Sequence, residues 1–314
     1  MTKTRTACGP LTWPPRATVA AGLTLLWLAS GCLPKDTRPP PARVLMTASA
    51  SPITETGIGS SADGWAISFD RVLLALGRAS LDGDTSCSVY SEARYSRVLT
   101  LLGAPAGQKI SESFALGQCD FGFGVLNAES DSLLGAGASA DDLSFLRTLG
   151  TDRYSGASGI SLFVAGHADK GDLRKTFAWA FRQRVRYREC EQIVDGTSVR
   201  GLKLGQDEEV TVDIGLHPEA LFADNLDDKA AAFRFDAFAE ADTTLGNNDG
   251  EVTLDELSVI PFGSLQQTGV YGVGDTKTVF ITLEDFVYLG LAPQVARYRD
   301  DGTCTLRLGP MRGD

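Results

Sequence analysis

Between residues 176 and 188 the chain reads TFAWAFRQRVRYR, and no other stretch constrains the fold as strongly. Phe177, Trp179, Phe181, Val185 and Tyr187 fall on one side of an extended backbone. Arg182, Arg184, Arg186 and Arg188 fall on the other. Successive strand side chains point to opposite faces, so this pattern predicts a single strand over 176–188 with one face buried. The same period governs Trp65, Ile67 and Phe69, with Ala66, Ser68 and Asp70 facing away. Runs at 96–102, 108–116, 120–126, 159–168 and 209–217 repeat it, separated by glycine-containing turns. Short strands at these intervals imply an antiparallel, sandwich-like β domain.

Helical signals are fewer. Ser139, with Asp142 three residues on, predicts a capped short helix over 139–149. From about residue 226 the period lengthens, and Ala230, Phe233, Ala237 and Ala241 share a helical face. Short helices are expected at 253–259, stopped by Pro261, and from Thr282 to a break at Pro293. The expected fold class is therefore α+β. A β-rich domain covers 63–225, and a helical segment over 226–314 packs on it, made of a helix–loop–helix and further short helices.

The N-terminal segment has a different logic. Residues 1–19 carry Lys3, Arg5 and Arg16 and no acids, and the apolar run at 17–28 is too short to span a bilayer. It closes on Leu28-Ala29-Ser30-Gly31-Cys32. This resembles the signal of bacterial lipoproteins, which implies removal of 1–31 and acylation of Cys32. The protein would then be held on the lipid bilayer in the cell envelope. Several acyl chains hold firmly where one binds only marginally. Leu33 is not the Asp that favours inner-membrane retention, so the outer membrane is the expected address. Residues 32–62 are rich in Pro, Ser, Thr and Ala and read as a disordered tether.

The formal net charge is −11, and losing Lys3, Arg5 and Arg16 with the leader makes the mature chain more acidic. That balance argues against a nucleic-acid partner and is compatible with cation binding. With Cys32 acylated, Cys87, Cys119, Cys190 and Cys304 remain, an even set in an oxidising compartment. Three pairings are open, of which Cys87–Cys119 with Cys190–Cys304 is favoured. The spacing holds no CxxC, so a zinc or redox role is weakly supported.

Residues 247–256, NNDGEVTLDE, carry the clearest chemistry. With Gly250 at the sharp turn of a Ca²⁺ loop, Asn247 and Asp249 supply side-chain oxygens. Glu251 offers its carbonyl, Thr253 its hydroxyl and Glu256 a bidentate carboxylate. Over about 30 residues this resembles the EF-hand family, which implies Ca²⁺ as cofactor. The first ligand position falls on Leu245, which has no side-chain oxygen. Asp242 is the nearest substitute if the loop is expanded by Thr243-Thr244-Leu245-Gly246. A metal-free reading fits some of the same residues, as an Asn-Asp-Gly turn followed by a capping box of Thr253 and Glu256.

With the opening Asp63-Gly64-Trp65, the strand pair around Gly166-His167-Ala168 and Phe177-Ala178-Trp179, and this late loop, the mature chain resembles secreted deltaproteobacterial lipoproteins. That resemblance implies no activity. His167 and His217 are the chain's two histidines. Converging with an acid such as Asp213 they could take a transition metal, though exposed strand-end histidines are the plainer reading. The arginine row of 182–188 reads as a solvated strand face, or as an anion patch for acidic sugars or lipid phosphate. There is no HExxH, GxSxG, SxxK or Gly-rich phosphate loop. The expectation is a non-enzymatic, lipid-anchored calcium-binding protein of structural or adhesive role. A binder of transition metals or anionic ligands comes second. A carboxylate-dependent hydrolase comes a remote third.

Overall fold

The computed structural model describes residues 38–227 and 230–309. Cys32 and the leader lie outside the described residues. Chain order begins with strand β1 (Ala42–Ala50), in which Ala42, Val44, Met46 and Ala48 are buried at every second position. Helix α1 (Pro52–Thr56) follows, capped by Ser51. Then come β2 (Ala66–Asp82), β3 (Cys87–Ser91), β4 (Ser96–Thr100), β5 (Gln108–Leu126) and the two-residue β6 (Leu133–Leu134). Within the expected tether of 32–62, β1 and α1 replace disorder over Ala42–Ala50 and Pro52–Thr56, while 32–37 lie outside the described residues. β1 lies inside the sheet, antiparallel to β5 on one side and parallel to β12 (Glu209–Leu216) on the other. Composition hid it, because its outward positions carry Thr47 and Ser49 and its inward ones include two alanines.

β2 and β5 form the spine of the sheet. Trp65, Ile67 and Phe69 are buried as the alternation requires, while Val72–Leu76 are buried on both faces. Val72, Leu74 and Leu76 join the main core. Leu73 and Ala75 pack the other way, against Val98, Leu146, Ile160 and Phe163. Helix α2 (Ala140–Leu146) contributes Leu146 to that second layer. Its start is fixed by the Ser139–Asp142 capping box, as expected.

The predicted strand at 176–188 is two strands. β7 (Leu162–Lys170) pairs with β8 (Leu173–Phe181), and the chain then crosses to β9 (Val185–Val194), which pairs with β5. The break is fixed by partners outside the segment. Asn127 donates to the Arg182 carbonyl, the Ser161 hydroxyl donates to the carbonyls of Phe181 and Gln183, and the Arg182 N–H is taken by the Tyr288 hydroxyl at 2.7 Å rather than by a neighbouring strand. β10 (Thr197–Arg200) and β11 (Leu202–Leu204) are short extensions along β9 and β5. β12 leads into a 3₁₀ turn at Pro218–Phe222.

The C-terminal part is less helical than expected. Residues 230–235 are not helical, and α3 begins only at Asp236 (Asp236–Glu240), running into a π-helical turn at Ala241–Leu245. β13 (Glu251–Val252) adds a parallel bridge to β8. After it come α4 (Leu254–Leu257), α5 (Phe262–Gln267) and α6 (Leu283–Asp285), the last prolonged by π and 3₁₀ turns to Val295. β14 (Ala296–Tyr298) and β15 (Thr303–Leu308) return to the sheet beside β12 and β9. The sheet path runs β13-β8-β7-β2-β5-β1-β12-β14, with the other strands branching from it. Parallel and antiparallel pairs mix in it, so it is not the purely antiparallel sheet expected. The whole is mostly β with short helices, consistent with an α+β class.

One side of β8 is covered by aromatics. Phe222 packs 5.6 Å from Trp179 and 5.3 Å from Phe177, and Phe238 stacks on Trp179 at 5.5 Å. Burying rings of this size contributes more apolar area than any other residue class, so α3 and the 218–222 turn are held firmly on β8. Cys87 and Cys119 are bonded across β3 and β5, and Cys190 and Cys304 across β9 and β15. This is the favoured pairing.

Candidate functional site: the 242–256 loop and a buried lysine

The 242–256 loop sits between the π turn after α3 and the start of α4. Asp242 takes the position that Leu245 cannot fill. Its carboxylate Oδ1 accepts the backbone N–H of Asp249 at 3.1 Å, and Oδ2 accepts that of Gly250 at 3.3 Å. Its carbonyl accepts the N–H of Asn248 at 3.0 Å. The π turn explains how: Thr243 donates its hydroxyl to the carbonyl of Ala239, and the widened turn absorbs the extra residues. Leu245 points outward at 49% exposure.

The remaining ligand candidates serve the loop itself. Asn247 Oδ1 accepts the Asp249 N–H, and Asp249 Oδ1 accepts the Glu251 N–H, both at 2.9 Å. These are Asx turns. Glu256 Oε2 accepts the N–H of Thr253 at 2.9 Å and its hydroxyl at 3.0 Å. Thr253 Oγ1 accepts the Glu256 N–H in return, completing the capping box. Glu256 Oε1 reaches back to the N–H of Asn247 at 3.3 Å. Asn248 and Gly250 adopt positive φ, of 55° and 91°, as the sharp turn demands. Gly246 must be small, since a Cβ there would lie 2.7 Å from the carbonyl oxygen of Ala241 and collide with Glu256. Val252 is fully buried, and its carbonyl accepts the Trp179 indole N–H at 2.8 Å, riveting the loop to β8.

A residue the sequence reading did not single out completes the arrangement. Lys175 of β8 makes a salt bridge from its Nζ to Asp242 Oδ2, with side chains 6% and 0% exposed. The ammonium lies against the carboxylate that the sequence offered in place of Leu245 as a first ligand. Its signal was present, because Lys175 shares the inward period of Phe177, Trp179 and Phe181. A charged residue on the buried face of a strand requires a partner. Among the described residues no group of three or more His, Cys, Asp or Glu side chains could hold a metal ion.

The other candidates disperse. His167 contacts Asp70 at 3.2 Å, whereas His217 sits between Glu219 at 3.1 Å and Asp300 at 2.8 Å. Asp213 accepts the hydroxyl of Thr47 instead. β7 and β12 are separated in the sheet by β2, β5 and β1, so the two histidines do not share a strand pair. The arginine row is not a uniform solvated face. Arg182 donates to the carbonyls of Thr148 and Ser158, Arg184 donates to Asn127, and Arg186 is buried.

Two neighbouring carboxyls on α6 are moved in opposite directions. Burial pushes the Glu284 carboxyl up. Burial pushes Asp285 the same way, but the Thr282 N–H, Arg153 and Tyr154 outweigh it and hold Asp285 down. Both acids belong to a clamp that ties 152–155 to α6, in which Tyr154 stacks on Tyr288 at 4.1 Å.

No protein family, curated protein or solved structure matches the chain. No helix among the described residues is long and apolar enough to cross a membrane.

Proposed function

We propose that this chain is a lipid-anchored, extracytoplasmic, non-catalytic protein with a sandwich-like β scaffold. In this reading its EF-hand-like loop is a structural lock that uses the Lys175 ammonium where a calcium loop would use its ion. The observation that carries the reading is the buried Lys175–Asp242 pair. A divalent cation could bind Asp242 only by displacing an ammonium that is itself shut away from water, and expelling a buried charge without a new partner is costly. The remaining loop oxygens are turned toward backbone N–H groups, which supports the same conclusion. Anchorage is supported by the Cys32 signal and by the pairing of the four other mature cysteines, as an oxidising compartment favours.

Calcium binding, the expectation from the loop sequence, is the rival reading. It is favoured by Asp249 and Glu251, whose side chains are exposed at the loop tip. Thermal melting of the secreted chain in excess Ca²⁺ and in EDTA separates the two, because a ligand of the folded state must raise Tm. The lock predicts equal melting temperatures. A rise in Ca²⁺ that disappears in Glu256→Gln overturns it in favour of the calcium loop. Anchorage is tested by Cys32→Ser, which moves the protein from the membrane fraction to the soluble fraction.

A further inference from the structure

Arg186 and Arg188 lie two residues apart on β9 and so share a face, and that face lines a cavity of about 340 Å³. Arg78 enters it from β2, at a bulge between Gly77 and Ser80 where Arg78 itself adopts φ 50°. Arg94 enters from the β3–β4 connection. Four arginines thus line one cavity of an acidic chain, against two acidic residues, Asp82 and Glu92. Glu92 is engaged, accepting the Leu81 N–H at 3.0 Å. Arg78 is paired with Glu129 outside the lining, at 3.2 Å.

The site is built rather than incidental. Arg186 is only 7% exposed, and its Nη1 donates to the carbonyl of Arg78. It can lie flat because Gly124 is its partner on β5, and a Cβ there would come within 3.2 Å of the arginine Cδ. Among the described residues neither Arg94 nor Arg188 has a carboxylate partner. Arg94 and Arg188, brought to one cavity without a carboxylate partner, repel each other, and an anion that joins them relieves the cost.

We propose that this cavity binds a phosphate monoester on a sugar-sized or headgroup-sized body. A carboxylate satisfies one guanidinium fork, whereas a dianion with three acceptor oxygens can engage several. The cavity volume suits a small organic phosphate. The site is remote from the loop and independent of how that loop is read.

The test uses the secreted chain carrying Cys32→Ser, so that no acyl group adds membrane affinity. Inorganic phosphate, glucose 6-phosphate and galacturonate are titrated calorimetrically. Vesicles of phosphatidylcholine, with and without phosphatidic acid, are tested by co-sedimentation. Phosphate binding should weaken at least about tenfold in each of Arg94→Gln and Arg188→Gln, the loss expected for one charge-assisted hydrogen bond. The melting temperature of the unliganded variants should not fall. Soluble binding without co-sedimentation supports the site with a free sugar phosphate as ligand. Co-sedimentation that needs phosphatidic acid and both arginines supports it with a lipid headgroup. The proposal is overturned if no phosphate probe binds, if the double variant binds as tightly as the parent, or if galacturonate binds equally well.

Discussion

Replacing Lys175 by Met keeps the length of the side chain and removes its charge, leaving Asp242 fully buried without a counter-ion. Breaking a buried ion pair from one side costs about 3–5 kcal/mol. Asp242 keeps two backbone N–H donors, from Asp249 and Gly250, so the lower end applies, about 3 kcal/mol. For a folded unit of this size that lowers Tm by roughly 6–9 °C. Adding Asp242→Asn removes the stranded charge and should recover most of the loss, since deleting both members of a buried pair is often close to neutral. Excess Ca²⁺ should raise the Tm of Lys175→Met and leave the parent unmoved, because only the variant has an uncompensated carboxylate in the loop. The assay is differential scanning calorimetry of the three proteins in EDTA and in Ca²⁺. A single variant within about 1 °C of the parent would refute the reasoning, given the magnitude expected for a buried pair. So would a double variant no more stable than the single one.

Other consequences are as direct. Cys190–Cys304 spans 114 residues and Cys87–Cys119 spans 32, so loop-closure entropy assigns them about 4.8 and about 3.7 kcal/mol. Denaturant titration of each Cys→Ser pair should therefore rank the first removal as the more damaging. Arg43, and then Lys109, hold the Glu112 carboxyl down to about 2. Its contribution is present above the ordinary value of 4.5 and is lost as pH falls toward about 2. Glu112→Gln should flatten that part of the acid limb in a plot of Tm against pH. Gly246→Ala forces a methyl against Glu256 and the Ala241 carbonyl. It should cost about 1–3 kcal/mol by chemical denaturation.

Where local physics decides the outcome, the sequence was readable. Trp65, Ile67 and Phe69 alternate and are buried, and Ser139 with Asp142 forms its capping box. Thr253 and Glu256 do the same, and the four cysteines pair as favoured. Features set by distant partners were not readable. β1 has too few large apolar residues to betray a strand, and it is held by neighbours far along the chain, with Arg43 bonding Glu112 on β5 and Glu209 on β12. The break at 182–184 depends on Asn127 and Ser161, which no period in the 176–188 segment encodes. Ala230, Phe233, Ala237 and Ala241 have helical spacing, yet Phe233 is extended and bridges to Ala223. In the loop, the ligand-type residues could be listed from sequence. The period of β8 marks Lys175 as a buried charge, but not which acid it pairs with, because Asp242 lies 67 residues further on.

The central claim is that the loop's cation is its own lysine. Equilibrium dialysis of the purified chain against radiolabelled Ca²⁺ tests it most directly, with Glu256→Gln alongside. The lock predicts no bound calcium in either protein. One equivalent bound by the parent and lost in Glu256→Gln would contradict it.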